Sequence, residues 1–390
     1  FLVSALNEMI AIKSDLKILQ DREGKRLKEY HFEVVNDELI VTDEDGELFE
    51  YHPNNKESQR IQETLFHEKQ TIIENCLFGV DINPNSVKIC RLRLWIELLK
   101  NTYYKNATEL ETLPNIDINI KCGNSLVSRF AIDADLKQAL KKSKWIINDY
   151  RIAVSSYRNA KNKEEKRELE RLILKIKQDF SSEILRNNPL QVKLDKLLLQ
   201  RYNRFTGIFL FEPESEYGKK GKDIDLKWNK EKNKLESEID SLTKKINEVK
   251  DSKIFQNSFE WRFEFPEVLN DDGDFVGFDV VIGNPPWGAE LHEEESKFIK
   301  NWNNDIVVRM VDTFMFFINL SFIIKSINGI VCQIVPDVLL YQLDNIKLRE
   351  KILNNFQLLI VANLGDHIFE DVARPSCIIQ IGNKSYKRET

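Results

Sequence analysis

No stretch of this sequence reaches the roughly 18 consecutive apolar residues that a membrane-spanning helix needs. The richest run, residues 314–324, is interrupted by Asn319 and Ser321, so the chain reads as soluble. It also has no Cys-x-x-Cys pair and no His-Glu-x-x-His run. Its five cysteines (Cys76, Cys90, Cys122, Cys332 and Cys377) are scattered, which argues against a zinc site and a disulfide scaffold. A reducing cytoplasm fits that usage. There is no basic excess either: 57 Lys and Arg face 63 Asp and Glu, for a net charge of -6. A global positive field of the kind many small DNA-binding modules carry is thereby excluded, and any nucleic-acid contact must be local or lie outside these residues. No internal repeat is found. The chain opens on Phe1 rather than Met and enters an apolar pattern at once, with no cap before it; a truncated beginning is expected, from which signal sequences cannot be judged.

What is present is enough for a large core. With 390 residues, 42% of them hydrophobic, the chain can hold one large domain or two ordinary ones. Leu2, Leu6, Met9, Ile10, Ile12 and Leu16 fall at helical spacing, and two alternating runs, 30–35 and 38–42, predict a surface hairpin that reads as decoration. From Leu77 onward the pattern turns to short buried strands ending in polar turns: residues 77–81, 116–121, 278–282, 330–335, 358–363 and 377–381, with helices over 84–100 and 312–326. This alternation predicts an α/β, doubly wound sheet.

Residues 131–256 break that alternation, because they are rich in Lys and Glu and place apolar residues at heptad-like steps. Trp228, Leu235, Ile239, Leu242, Ile246 and Val249 form one stripe, and Leu169, Leu172, Ile173, Ile176 and Phe180 form another. The simplest expectation is one long antiparallel, coiled-coil-like helical hairpin. Its tip would contain Gly207, Pro213 and Gly218-Lys219-Lys220-Gly221-Lys222, either as a solvated loop or as a contact to DNA phosphate. The organisation predicted is a core part over 1–130 with the hairpin at about 28–52, the helical insertion over 131–256, and a catalytic core part over 257–390.

The decisive run is Phe278-Asp279-Val280-Val281-Ile282-Gly283-Asn284-Pro285-Pro286-Trp287, a buried strand that delivers a stiff Asn-Pro-Pro-aromatic turn. Such a turn suits chemistry on the exocyclic amine of adenine, whose lone pair is delocalised into the ring. If the Asn284 side-chain oxygen and the Pro285 carbonyl accept the two N–H bonds, charge developing on the nitrogen is stabilised and its lone pair is aimed. Trp287 would stack on the base once it has left the duplex. Taken alone, the tetrapeptide is also compatible with a Pro-Pro turn and a packed tryptophan. Two other strand ends strengthen the first reading. Val80-Asp81-Ile82-Asn83-Pro84 puts an acid after a strand, where it can bind ribose hydroxyls or merely cap a helix. Cys122-Gly123-Asn124-Ser125-Leu126 offers an amide that could read a cofactor's adenine or form an ordinary turn. In open α/β sheets ligands bind at such carboxyl ends.

In this order, Val80-Asp81-Ile82-Asn83-Pro84, Gly123-Asn124-Ser125-Leu126 and Asn284-Pro285-Pro286-Trp287 resemble the second, third and fourth motifs of adenine-specific DNA methyltransferases. The subgroup most similar is the Eco57I-like one of type IIG restriction-modification proteins. Phe259-Glu260-Trp261-Arg262-Phe263-Glu264-Phe265-Pro266-Glu267-Val268, Gly329-Ile330-Val331-Cys332-Gln333-Ile334-Val335-Pro336 and Leu364-Gly365-Asp366-His367-Ile368-Phe369 resemble its flanking segments.

The resemblance implies a Rossmann-like, S-adenosylmethionine-dependent methyltransferase sheet, here without its first strand and glycine loop. It implies a cofactor site in which Asp81 and Ile82 meet the ribose side, Asn124 and Leu126 lie at the adenine, and Phe1 is the last residue of a Gly-rich first motif. The catalytic turn would be Asn284, Pro285, Pro286 and Trp287, and the partner double-stranded DNA with a flipped adenine. Without the glycines the fragment alone is expected to bind cofactor weakly and not to turn over. No cysteine follows a proline, which removes the covalent route of cytosine ring methylation. No nuclease signature with correct spacing occurs, so an endonuclease and a target-recognition domain are expected outside these residues. Methylation of a protein glutamine, or a non-catalytic DNA- or partner-binding scaffold, remain alternatives.

Overall fold

A computed structural model describes residues 1–132, 136–186, 189–205, 220–251, 253–369 and 374–384. Helix α1 (Leu2–Asp15) buries Leu6 and Ile10 of the expected stripe, with Val3 beside them, while Ile12 and Leu16 of that stripe are exposed. The antiparallel hairpin of β1 (His31–Val35) and β2 (Glu38–Thr42) turns through Asn36 and Asp37, at φ of +51° and +65°. Two successive left-handed residues match the twist of a tight hairpin. The hairpin is not decoration. Phe32 is buried with Leu6 and Ile10 in one cluster, and Asn7 Nδ2 donates to the Asp37 carbonyl at 2.8 Å. The alternation hid this because one large aromatic carries the docking face. Helix α2 (Lys56–Asn75) is capped by Asn55, which accepts from the Glu57 and Ser58 amides, and adds Ile61, Leu65 and Phe66 to the same cluster.

Strand β3 (Gly79–Asp81) leads into α3 (Pro84–Leu99), with proline in the first turn where its missing N–H costs nothing. Strand β4 (Ile120–Cys122) pairs with β3 in parallel, from Gly79 opposite Ile120 to Asp81 opposite Cys122. The strand expected from residue 116 begins later, because Ile116–Ile118 form a 3-10 turn. Buried Asn119 ends that turn and donates to the carbonyls of Ile73 (2.9 Å) and Glu74 (2.8 Å) at the end of α2. A side chain spent on helix carbonyls holds the backbone out of the sheet.

The helical region differs from the single long hairpin expected. Helices α4 (Leu136–Leu140), α5 (Ile147–Arg158) and α6 (Lys163–Arg186) share a cluster in which Ile173, Ile176 and Phe180 meet Tyr150, Ala153 and Val154. Helix α7 (Pro189–Phe205) pairs instead with α8 (Lys220–Asp251), through Leu194 and Leu197 against Ile239 and Leu242. An apolar stripe states that a helix has a partner without naming it, and the nearer helix won in both cases. Gly207, Pro213, Gly218 and Lys219 of the expected tip lie outside the described residues, whereas Lys220, Gly221 and Lys222 begin α8.

The short helix α9 (Trp261–Glu264) introduces an aromatic knot: Phe259, Trp261 and Phe265 pack among Phe78 and Phe278. The C-terminal part then runs β5 (Phe278–Gly283), α10 (Glu293–Trp302), α11 (Thr313–Ile324), β6 (Lys325–Pro336), α12 (Val338–Tyr341), α13 (Ile346–Asn355), β7 (Phe356–Gly365) and β8 (Ser376–Asn383). The sheet order is β5-β6-β8-β7, with β5 and β6 parallel and β8 antiparallel to both neighbours. Only residues 366–375 join β7 to β8, too few for the crossover that a parallel return requires.

The class is α/β, as expected, with Rossmann-type parallel pairs in both core parts. The sheet is nevertheless not continuous. Among the described residues β3–β4 and the four-stranded unit are separate. They meet through side chains, with the Phe78 and Phe278 rings 5.7 Å apart at the starts of β3 and β5. No helix among the described residues is long and apolar enough to cross a membrane.

Candidate active site

Strand β5 ends with Gly283 opposite Gln333 of β6, and the Asn-Pro-Pro-Trp turn follows at its carboxyl end. Asn284 and Pro286 are exposed, Pro285 is buried and Trp287 is half-buried. The turn is gripped on both sides of Trp287. Thr313 Oγ1 donates to the Pro286 carbonyl at 2.7 Å, and the Gly288 amide donates to Asp312 Oδ1 at 2.7 Å. Gly288 has φ of +68°, which a side chain would strain. The Trp287 ring meets Phe369 edge to face, with centroids 5.4 Å apart. Its indole N–H is buried without a hydrogen-bond partner among the described residues.

Asp81 closes β3 as an exposed carboxylate. Its Oδ1 accepts from the Asn83 amide at 2.7 Å, and Asn83 in turn caps α3. Ile82 next to it is 62% exposed. The Asp81 carbonyl accepts from Gly123 at 3.0 Å, which ties the second turn to the first. Beyond it Asn124 is held on all sides: its amide donates to the Asn257 carbonyl at 2.6 Å, its Oδ1 accepts from Leu126 at 3.0 Å, and its Nδ2 donates to Glu295 on α10. Leu126 and Trp287 pack against one apolar cluster. Phe1 is exposed at the start of α1, and neighbouring Leu2 lies so close to β3 that a Cβ on Gly79 would sit 3.1 Å from it.

The segment before β3 and the start of β5 touch through Phe78 and Phe278, and Asn124, beyond β4, bonds Glu295 on α10. Val280 and Ile282 of β5 are exposed, as is Ile82 beyond β3.

A half-buried ion cluster ties the insertion to the core. Lys121 of β4 and Lys177 of α6 reach opposite oxygens of Glu264, at 2.8 and 2.7 Å. Burial pushes the Lys121 ammonium down to about 8 against the pull of Glu264. Burial would raise the Glu264 carboxyl, but the two ammonium groups outweigh it and hold the acid at about 2.

Sequence reasoning did not find Glu264, Glu295, Asp312 or Thr313. Asp-Thr before an apolar run reads as a helix cap, and the distant partners of the two glutamates leave no local signal.

The sequence from residue 75 to 369 matches the model of the Eco57I restriction-modification methylases, a span that contains all three turns. The chain belongs to that family. It is 27% identical over 359 residues to a Methanocaldococcus jannaschii protein named as a type II restriction enzyme and methyltransferase, covering 85% of this chain and 28% of that relative's length. Partial likenesses to solved structures include a protein described as a class I S-adenosylmethionine-dependent methyltransferase from Listeria monocytogenes (15% identity, 66% of this chain, 89% of that one, TM-score 0.24). Another is a chain described as the modification subunit of a type I restriction enzyme from Vibrio vulnificus (22% identity, 28% and 23% covered, TM-score 0.24). Membership of a methylase family implies S-adenosylmethionine as the family's cofactor. The Asp81 carboxylate keeps one oxygen outside its turn, and the exposed apolar side chain of Ile82 stands beside it; that pairing of acid and apolar surface suits a nucleoside.

Proposed function

We propose that this methylase core transfers a methyl group from S-adenosylmethionine to the exocyclic amine of an adenine flipped out of double-stranded DNA. The observation that carries the reading is the Asn284–Trp287 turn, rigid in sequence, clamped at Pro286 and Gly288, and exposed at Asn284. Asn284 Oδ1 and the Pro285 carbonyl accept the amine's two N–H groups, which localises the lone pair on nitrogen and stabilises the charge that develops there. Trp287 supplies a stacking face, and its edge-to-face contact with Phe369 fixes the ring. Asp81 and Ile82 hold the ribose side of the cofactor; Leu126 and the spare N–H of Asn124 lie toward its adenine, with Phe1 at the opposite flank. When bound, the cofactor would supply an electrophilic methyl carbon to the nitrogen that Asn284 and the Pro285 carbonyl aim, and the proton lost from the amine would pass to solvent.

The relative's name joins restriction enzyme and methyltransferase, and this chain spans 28% of its length. That supports a nuclease elsewhere in a longer polypeptide; a target-recognition unit and a cytoplasmic setting belong to the same proposal. The test is methylation of DNA by the full-length polypeptide with labelled cofactor, followed by separation of the nucleosides. Label on the exocyclic nitrogen of adenine is expected, and Asn284→Ala should lower kcat by roughly 100- to 1,000-fold, the usual cost of losing a preorganised transition-state partner. Label on cytosine, or an unaffected variant, would refute the assignment.

A further inference from the structure

We propose that Asp312 and Thr313 are positioning residues that hold Trp287 in its working orientation. The proposal rests on the reading of the Asn284–Trp287 turn as the site of transfer. Asp312 occupies the N-cap of α11, where an aspartate ordinarily accepts an N–H of the helix's own first turn. Its side chain makes no such bond. Its Oδ1 accepts the Gly288 amide at 2.7 Å instead, a charge-assisted bond stronger than one between neutral groups. Thr313, buried at the next position, gives its hydroxyl to the Pro286 carbonyl at 2.7 Å. Helix α11 therefore forgoes its usual cap and grips the backbone immediately before and after one residue.

The consequence is local and specific. With the peptide groups on both sides of Trp287 fixed, the ring cannot swing by backbone rotation, and the edge-to-face contact with Phe369 restricts the side-chain torsions. Gly288, at φ of +68°, lets its N–H face Asp312, and the Arg374 guanidinium lies 3.5 Å from the other Asp312 oxygen, which keeps Oδ1 turned to the turn. A stacking face held this way places the target amine for in-line attack, and loosening it reduces the fraction of bound complexes poised to react. The cofactor acid Asp81 lies on the other core part, so cofactor affinity is untouched.

Four variants of the full-length polypeptide test this, with Asn284→Ala alongside. Thr313→Val removes the hydroxyl at nearly constant volume, and Asp312→Ala removes the acceptor; Thr313→Ser and Asp312→Asn give each back. The first pair should lose roughly 10- to 100-fold in kcat for DNA methylation, with KM for S-adenosylmethionine within about twofold. The second pair should recover most of the loss. Thermal melting establishes that each variant is folded, and Asp312→Ala, at a partly exposed site, decides the matter if Thr313→Val melts early. Wild-type kcat in folded Thr313→Val and Asp312→Ala, with Asn284→Ala inactive, overturns the clasp and leaves the turn's role standing. A loss that Thr313→Ser and Asp312→Asn fail to recover points to packing and also overturns it. Full transfer by Asn284→Ala removes the reading of the turn, and the clasp with it.

Discussion

Glu264 stands between two half-buried ammonium groups, and the three charges must be kept or lost together. Replacing it with Gln leaves Lys121 and Lys177 uncompensated, which destabilises by roughly 1–3 kcal/mol, the cost of leaving a desolvated charged group without its partner. The sign of its pH dependence follows from the lowered acid. The unfolded state takes up the Glu264 proton near the ordinary value of 4.5 and the folded state only near about 2. The carboxylate's contribution is therefore complete above pH 4.5 and disappears as pH falls toward about 2. Denaturant melts of wild type and Glu264→Gln should differ most near neutrality and converge in acid; a gap independent of pH would dismiss the ionic account. Residues of this kind were invisible in the sequence because their partners lie 143 and 87 positions away. Asn284 to Trp287 was legible for the opposite reason, since its acceptor, its stiffening prolines and its stacking ring are contiguous.

Elements show the same division between what is local and what is not. The strand leading to Asn284, the helix after Asp81 and the α6 and α8 stripes follow from composition and spacing, because each is set by its own residues. Partner choice is not: α6 went to α5, and residues 116–118 left the sheet when Asn119 found helix carbonyls. The α7–α8 seam, built on Leu194, Leu197, Ile239 and Leu242, is a cluster apart from the one that holds α5 and α6. Ile239→Asp buries a charge in that seam alone. Amide hydrogen exchange should speed up across residues 189–205 and the facing part of α8 while α5 and α6 keep wild-type protection. Loss of protection in α5 would show that the two helical clusters are one cooperative unit.

At the scale of the whole molecule, the parts meet through aromatic side chains rather than through one hydrogen-bonded ladder. Sequence alone predicted buried strands in an uninterrupted sheet; strand patterns carry no information on which edges pair, and β5 and β7, expected to be buried, are largely exposed. In the structure β5 pairs with β6 on one side, and on the other side no described strand bonds to it, while Val280 is 63% and Ile282 48% exposed. At the far end β7 presents Ile360 at 51% exposure. Edges that combine unpaired backbone groups with β-branched apolar side chains template pairing between molecules, and a lysine on such an edge is the device by which natural sheets prevent it. Residues 1–390 should accordingly self-associate at concentrations of tens of micromolar, seen as a sedimentation coefficient that rises with loading. Val280→Lys should suppress that rise more than a lysine at exposed Leu48, which lies on no sheet edge of the core. If the two substitutions act alike, general charge and not the β5 edge governs association, and the exposed edge has no part in it.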